Sequence, residues 1–353
     1  DPVKKTWQLF QTFFSQEAKR GIDVNKWIDN YNELHDDNKA NVEERNSKYS
    51  SLVNAYYELA TLFYEWGWGT SFHFAERLKS ETFRQSILRH EYYLAGRLGV
   101  KKGSKLLDCG CGVGGPYRNI ATFTGCDVTG WITISEYQVV RANKLNEAAG
   151  MADQVRSVHG DFMALPFESN TFDGVYAIEA TCHAPDRRKV YSEIYRVLKP
   201  GSIFACYEWV LTDRYDGTNA EHRRIKKKIE EGDGLPDMCK PVEVNKALKE
   251  SGFEIVETRD MALDENPGGK PWYHPLTPAY NVFSQRFQFT SIGMFITRRA
   301  LWVLELLRLA PEGTNKVQGM LQEAAIGCAQ GGTTGTFTPM YLAVVRKPLK
   351  ANK

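Results

Sequence analysis

Asp108 is followed at alternate positions by Gly110, Gly112 and Gly114 in "LLDCGCGVGG", residues 106–115, directly after an apolar stub. Glycines at that spacing let a ligand lie against bare backbone, because no Cβ stands in the way. Upstream, "FYEWGWGTSFHF" (63–74) gathers Phe63, Tyr64, Trp66, Trp68, Phe72 and Phe74 around Glu65. Ring faces at that density suit a desolvated cation, each contributing roughly 0.5–2 kcal/mol. His90, His183 and Glu208 are further groups able to accept or hold a proton.

Three ligands compete for the glycine run. A phosphate loop needs Gly-Lys-Ser/Thr at its end, and Gly114, Gly115 and Pro116 supply neither lysine nor hydroxyl. A dinucleotide fold needs an acid at the end of the second strand for the ribose, and "WITIS" has none. S-adenosylmethionine remains: its ammonium and sulfonium suit an acidic residue ahead of the first glycine, the position Asp108 holds. "HGDFMALPF" after a third strand and "YAIEA" on a fourth support this reading.

Alternating elements must carry these groups. "KLLDCG", "CDVTGWITI", "VRSVHGD" and "FDGVYAIEA" read as strands. "GPYRNIATF" and "SEYQVVRANKLNEAAG" read as the helices between, residues 186–198 as another helix, and "KPGS" as a turn into the strand "IFACYEWV". Such alternation predicts a parallel, doubly wound α/β sheet with its ligand beyond the strands' carboxyl ends. Before residue 100 the pattern is helical, including an aromatic, lysine-flanked stretch at 4–20 suited to a membrane surface or to docking on its own domain. Gly67 and Gly69 should keep an ordinary helix from burying all these rings on one face. After 217 come a charged helix, whose basic run at 223–228 reads as a solvated face, the amphipathic "FITRRALWVLELLRLA", and a last strand, "FTPMYLAVVRK".

Composition narrows the classes. With 45 basic and 43 acidic side chains the net charge is +2, so no field gathers nucleic acid. Seven cysteines without CxxC spacing point to a reduced compartment and no metal site. No apolar run reaches the ~18 residues of a spanning helix.

The glycine run resembles the first motif of class I methyltransferases. With "YEWGWG" (64–69), "IEATCHAP" (178–185) and "YEWV" (207–210) in the same order, the chain resembles the sterol 24-C-methyltransferase family, and "GDGLP", "PWYHPL" and "FTPMYLAVVRKP" extend the similarity over roughly residues 45–348. The resemblance implies a Rossmann-like fold with a seven-stranded, mostly parallel sheet. It also implies a helical lid and acceptor segment (1–100), a cofactor core (101–215) and a sterol-associated region (216–353). The implied reaction is methyl transfer from S-adenosylmethionine to C-24 of a sterol side-chain double bond. Carried over, Asp108, Gly110, Gly112 and Gly114 form the cofactor loop. Asp161 with Phe162 meets the adenine, and Ile178 and Glu179 lie at the tip of the fourth strand. "TISEYQ" resembles the T-L-S-x-x-Q pattern of cyclopropane-fatty-acid and tocopherol-type methyltransferases, which assigns Thr133, the backbone of Ile134 and Gln138 to the ribose end. "WITIS" has five residues where the sterol enzymes carry four, an insertion at or near Trp131.

Methylating an alkene leaves a carbocation, so the aromatic run, with Tyr64, Trp66 and Trp68 foremost, is the expected cage. His183 is the expected base, with Glu65, His90 or a water held by Glu179 as alternatives. Glu208 would hold an acceptor hydroxyl or join a buried pair. Expected partners are a sterol or triterpenoid, a membrane surface met peripherally and a second copy of the chain, with an endoplasmic-reticulum or lipid-droplet location. Competing functions are methylation of a squalene-like prenyl lipid, a lipid carrier that kept the fold, and a nicotinamide dehydrogenase.

Overall fold

The computed structural model describes residues 60–349 except 62, 66, 133, 134 and 311, and the side chains of 131 and 132 are likewise outside the description. The stretch at 4–20 therefore lies outside the described residues, as do Trp66, Thr133 and Ile134.

Five strands run parallel: β1 (Lys105–Cys109), β2 (Asp127–Ile132), β3 (Val155–His159), β4 (Phe172–Ile178) and β5 (Leu198–Leu211). The sheet order is β3-β2-β1-β4-β5-β7-β6, in which β7 (Phe337–Arg346) is antiparallel to both β5 and β6 (Glu254–Asp260). Alternation sorts neighbouring residues onto opposite faces. Leu106, Tyr176 and Tyr207 join one core, while Leu107, Val175 and Phe204 join the other. Both faces are covered, which is why these strands read as nearly continuous apolar runs.

Helices α1 (Phe83–Arg97), α2 (Gly115–Thr124), α3 (Glu136–Ala148) and α4 (Arg187–Val197) flank the sheet. Local signals set their starts. Thr82 and Gln85 form a capping box on α1, and Ser135 and Asp186 accept backbone N–H bonds at the starts of α3 and α4. The later part of the chain adds α5 (Ala220–Asp233), α6 (Pro241–Glu250), α7 (Ser291–Leu306) and α8 (Thr314–Thr334), with α5 packed along α8.

One expectation changes. "KPGS" is part of β5 rather than a turn before it, because the Gly201 N–H stays on the ladder through Lys347 O at 2.7 Å. The described residues from 60 to 68 are helical through Gly67, and the helix ends only at Gly69, whose φ is 80°. A single glycine weakens a helix without breaking it; a left-handed residue ends it. The basic run on α5 is ion-paired: Lys226 with Glu230 and Asp237, Lys227 with Glu231, and Lys228 with Glu323.

Candidate active site

From β1 the chain continues to β2 and β3 on one side, and β4 and β5 lie on the other, so the order reverses at the β1/β4 boundary and a crevice opens beyond the strand ends. Asp108 stands there, 1% exposed, and burial pushes its carboxyl up to about 8. Its Oδ2 meets no donor in good hydrogen-bond geometry among the described residues, although the nearby Tyr176 hydroxyl pulls the carboxyl part of the way back down. Gly110 (φ 93°) and Gly112 (φ 52°) turn the loop through left-handed backbone, which costs other residues roughly 1–2 kcal/mol. A Cβ on Gly110 would lie 2.2 Å from Ala180 Cβ, so this glycine lets the tips of β1 and β4 close together. On Gly112 it would meet only the Phe72 ring, at 3.5 Å. Gly112 thus packs its bare side against the aromatic segment.

That segment is tied to the loop and to β4. Gly115 N–H donates to Thr70 O at 3.0 Å. Glu91 on α1, fully buried, accepts from Ser71 Oγ (2.7 Å) and Asn119 Nδ2 (2.7 Å) and meets His73 Nε2 at 3.1 Å. Burial pulls the His73 imidazole down, but its bond to Glu91 and the negative charges of Glu91 and Glu179 outweigh it, leaving the ring above its ordinary pKa. At the tip of β4, Glu179 accepts from Phe74 N–H and from Trp209 Nε1–H, both at 2.7 Å. Its φ is 51°, an uncommon conformation for a side-chain-bearing residue. Burial pushes its carboxyl up to about 8 against the opposing pull of His73.

Rings then line an open-mouthed cavity beside the loop. Tyr64 lies 5.3 Å from Phe72, Trp68 5.9 Å from Phe74 and Phe74 6.0 Å from Trp209, centroid to centroid. Polar groups on the wall are few. Asp233 accepts from Tyr64 OH (3.2 Å) and from Cys328 Sγ (3.6 Å). His183 meets Gly234 O through Nδ1 at 3.3 Å, and burial lowers its pKa to about 4. A carbonyl accepts, so Nδ1 carries the proton in that contact, and the lowered pKa keeps the ring neutral at pH 7.

Of the expected groups, Tyr64, Trp68, His183 and Glu179 line this cavity, whereas Glu65, His90 and Glu208 do not. Glu65, 4% exposed at its side chain, forms a forked ion pair with Arg141 on α3 at 2.9 Å, which corrects its place among the alternative bases. His90 stacks on Tyr207 at 3.7 Å, and burial, then the nearby His73 charge, hold it well below its ordinary pKa. Glu208 is fully buried between Thr181 and Tyr191, with its pKa raised to about 7 by burial; this is the buried-pair alternative.

Around the cofactor loop, Gln138 donates to Thr61 Oγ1 at 2.9 Å rather than standing open. The Phe162 ring, 1% exposed, packs into the core with Leu107 and Cys109, leaving only its backbone to meet an adenine. Ile178 is 7% exposed in the other core, and Asp161 accepts from Met163 N–H at 2.8 Å. Sequence reading missed His73, Glu91, Trp209 and Asp233. His73 and Trp209 stand inside quoted motifs and Asp233 inside "GDGLP", whereas Glu91 carries no local signal. Among the described residues, no group of three His, Cys, Asp or Glu could hold a metal.

A parallel sheet with a glycine loop after its first strand, and an antiparallel seventh strand inserted beside the fifth, defines a class I methyltransferase fold. Residues 107–206 match the family described as methyltransferase domain, and residues 284–349 the family described as sterol methyltransferase C-terminal. Cycloartenol-C-24-methyltransferase of Arabidopsis thaliana is 49% identical over 326 residues, 92% of this chain and 96% of its own. Sterol 24-C-methyltransferase of Saccharomyces cerevisiae is 47% identical over 357 residues, 99% of this chain and 92% of its own. The chain belongs to the sterol 24-C-methyltransferase family. Two solved structures share the fold at low identity. One is the cyclopropane synthase MmaA2 from Mycobacterium tuberculosis (TM-score 0.64, 16% identity, 84% of this chain and 98% of that one). The other is a geranyl diphosphate methyltransferase in complex with GPP and sinefungin (TM-score 0.62, 17% identity, 85% and 99%).

The cofactor of this class is S-adenosylmethionine, and the residues fit it. The buried Asp108 Oδ2 is an acceptor for an ammonium, and the left-handed glycines expose the loop backbone with no side chain of their own.

Proposed function

We propose that this chain methylates C-24 of the side-chain double bond of a sterol. The observation that carries the reading is the wall of Tyr64, Trp68, Phe72, Phe74 and Trp209 between the glycine loop and a largely apolar cavity. When bound, S-adenosylmethionine would supply an electrophilic methyl group, the methyl–sulfur pair staying with the sulfur. The alkene π pair forms the new carbon–carbon bond and leaves a cation on the neighbouring carbon, which no oxyanion hole would help. Ring faces stabilise it, and the Tyr64 bond to Asp233 makes that ring more electron-rich. His183, neutral and on the wall, takes the proton; the released C–H pair becomes the product double bond. Holding alkene and methyl in line supplies on the order of 7–11 kcal/mol of the barrier.

Incubation with labelled S-adenosylmethionine and a panel of sterols and squalene tests this. Label should enter side-chain-unsaturated sterols. Label in squalene alone would favour the prenyl-lipid alternative, and no cofactor binding would indicate a carrier. A membrane-surface location, at the endoplasmic reticulum or lipid droplets, is part of the same proposal; the exposed apolar stripe of α7 supports it.

A further inference from the structure

We infer that Gln318 and Gln322 on α8 form the subsite that recognises a hydroxyl group at the far end of the acceptor; the inference rests on the sterol reading above. Helix α8 presents Gln318, Leu321, Gln322, Ala325 and Cys328 to the cavity, a stripe at the three- and four-residue spacing of one helix face. One end of the stripe belongs to the reacting end. Cys328 Sγ donates to Asp233 at 3.6 Å, Asp233 holds Tyr64 OH at 3.2 Å, and the Tyr64 ring lies 5.3 Å from Phe72, which faces Gly112. From residue 328 back to 318 the helix axis runs about 15 Å. Between them the lining is apolar, with Leu321, Ala324 and Ala325 joined by Leu276 and Phe289.

Three carboxamides interrupt this wall, Gln288 just before α7 and, on α8 itself, Gln318 and Gln322. Gln322 is 8% exposed, and its buried Nε2 has no hydrogen-bond partner among the described residues; the buried Oε1 of Gln318 has none either. Native proteins pair nearly all such atoms, so an unmet donor and an unmet acceptor on one cavity wall mark what the cavity is built to receive. A hydroxyl accepts one bond and donates another, and so satisfies both. A carboxylate would leave Gln318 unmet and an ammonium would leave Gln322 unmet. Exchanging O and N in both carboxamides swaps the roles and preserves the pairing. A sterol carries its ring hydroxyl and its side-chain alkene at opposite ends of a rigid nucleus. Fixing the hydroxyl at the far part of the α8 stripe therefore sets which side-chain carbon meets the methyl. The pair decides register as well as affinity.

The test compares a sterol with its 3-deoxy analogue. Equilibrium binding of both to the protein without cofactor is read by tryptophan quenching, and their methylation is read in competition. Wild type should prefer the hydroxylated sterol by roughly 5- to 30-fold, as expected for two ordinary hydrogen bonds. In the Gln318→Leu/Gln322→Leu variant the ratio should fall towards one, with the deoxy analogue bound at least as well as before. A ratio taken in one tube does not depend on how much protein is folded, and Gln322→Met, closer in shape, replaces the double variant if that does not fold. An unchanged ratio in the variants, or no preference in wild type, overturns the subsite. Preference in binding without methyl transfer to either lipid would overturn the reaction and leave the subsite standing.

Discussion

At the scale of single residues, Asp108 makes cofactor binding pH-dependent. Its carboxyl is raised to about 8 in the free protein, against roughly 3.9 in an unfolded chain. Between those values the folded form holds one proton more. The stability due to the neutral carboxyl is therefore complete below about 4, falls as pH rises and is lost through about 8. An ammonium ligand wants the carboxylate, so affinity should climb with pH until about 8, by up to ~10-fold per unit for each proton released. Calorimetry in buffers of different ionisation heat should register that proton. Asp108→Asn should abolish its share and leave that of Glu179, whose pKa is also about 8; affinity that does not change with pH would mean Asp108 is already ionised. The glycines separate in the same way. Gly112→Ala should cost about 1–2 kcal/mol of stability and much of the cofactor affinity, whereas Gly110→Ala must move Ala180, 2.2 Å from the new methyl, and should damage the fold first. Trp68→Leu should slow kcat by roughly 5- to 30-fold, more than it raises the sterol KM, with Trp68→Phe between. A fall in melting temperature alone would reduce Trp68 to packing.

At the scale of elements, the aromatic helix is held by polar clasps: Glu65 to Arg141 and Thr61 to Gln138 join residues 60–68 to α3 of the cofactor core. Removing one member leaves a nearly buried Glu65 without its cation, a loss of about 3–5 kcal/mol for fully buried pairs and less here because Arg141 is a quarter exposed. Arg141→Leu should speed proteolysis and hydrogen exchange at 60–69 and raise KM for both substrates; unchanged protection there would make the pair incidental. These clasps also show how far sequence reading reaches. The strands and helices between 105 and 211 are written in local apolar patterns and capping residues, and Asp108, the glycines and the aromatic run in a local motif. Glu65 and Gln138 carry the right chemistry, and only their distant partners, Arg141 and Thr61, decide that they face protein. Gln318 and Gln322 look like any helix-surface glutamines until the sheet turns α8 inward.

At the scale of the molecule, α7 lays Ile292, Phe295, Ile296, Trp302, Val303 and Leu306 on one exposed stripe, with Arg298, Arg299 and Arg308 exposed beside it. The short helical turn just before it carries Gln288 and Phe289 into the cavity lining. No described helix could cross a membrane, so contact through this stripe would be interfacial. Liposomes with anionic lipid should float the protein, and Phe295→Asp/Trp302→Asp should abolish flotation while leaving turnover of detergent-dispersed sterol intact. Flotation unaffected by both changes would move the contact elsewhere. The place of β7 bears on how the molecule is made. This strand is the last of the described sheet to be synthesised, yet it lies between β5 and β6, and it follows directly on α8, the helix that walls the cavity. A ribosome that has released everything up to residue 336 has produced two strands with open edges and no partner for either, the kind of surface that recruits other unfinished chains. Nascent copies should thus depend on chaperones until β7 arrives. The cavity and the sheet are then completed together, so a half-made chain has no stage at which it could meet its lipid.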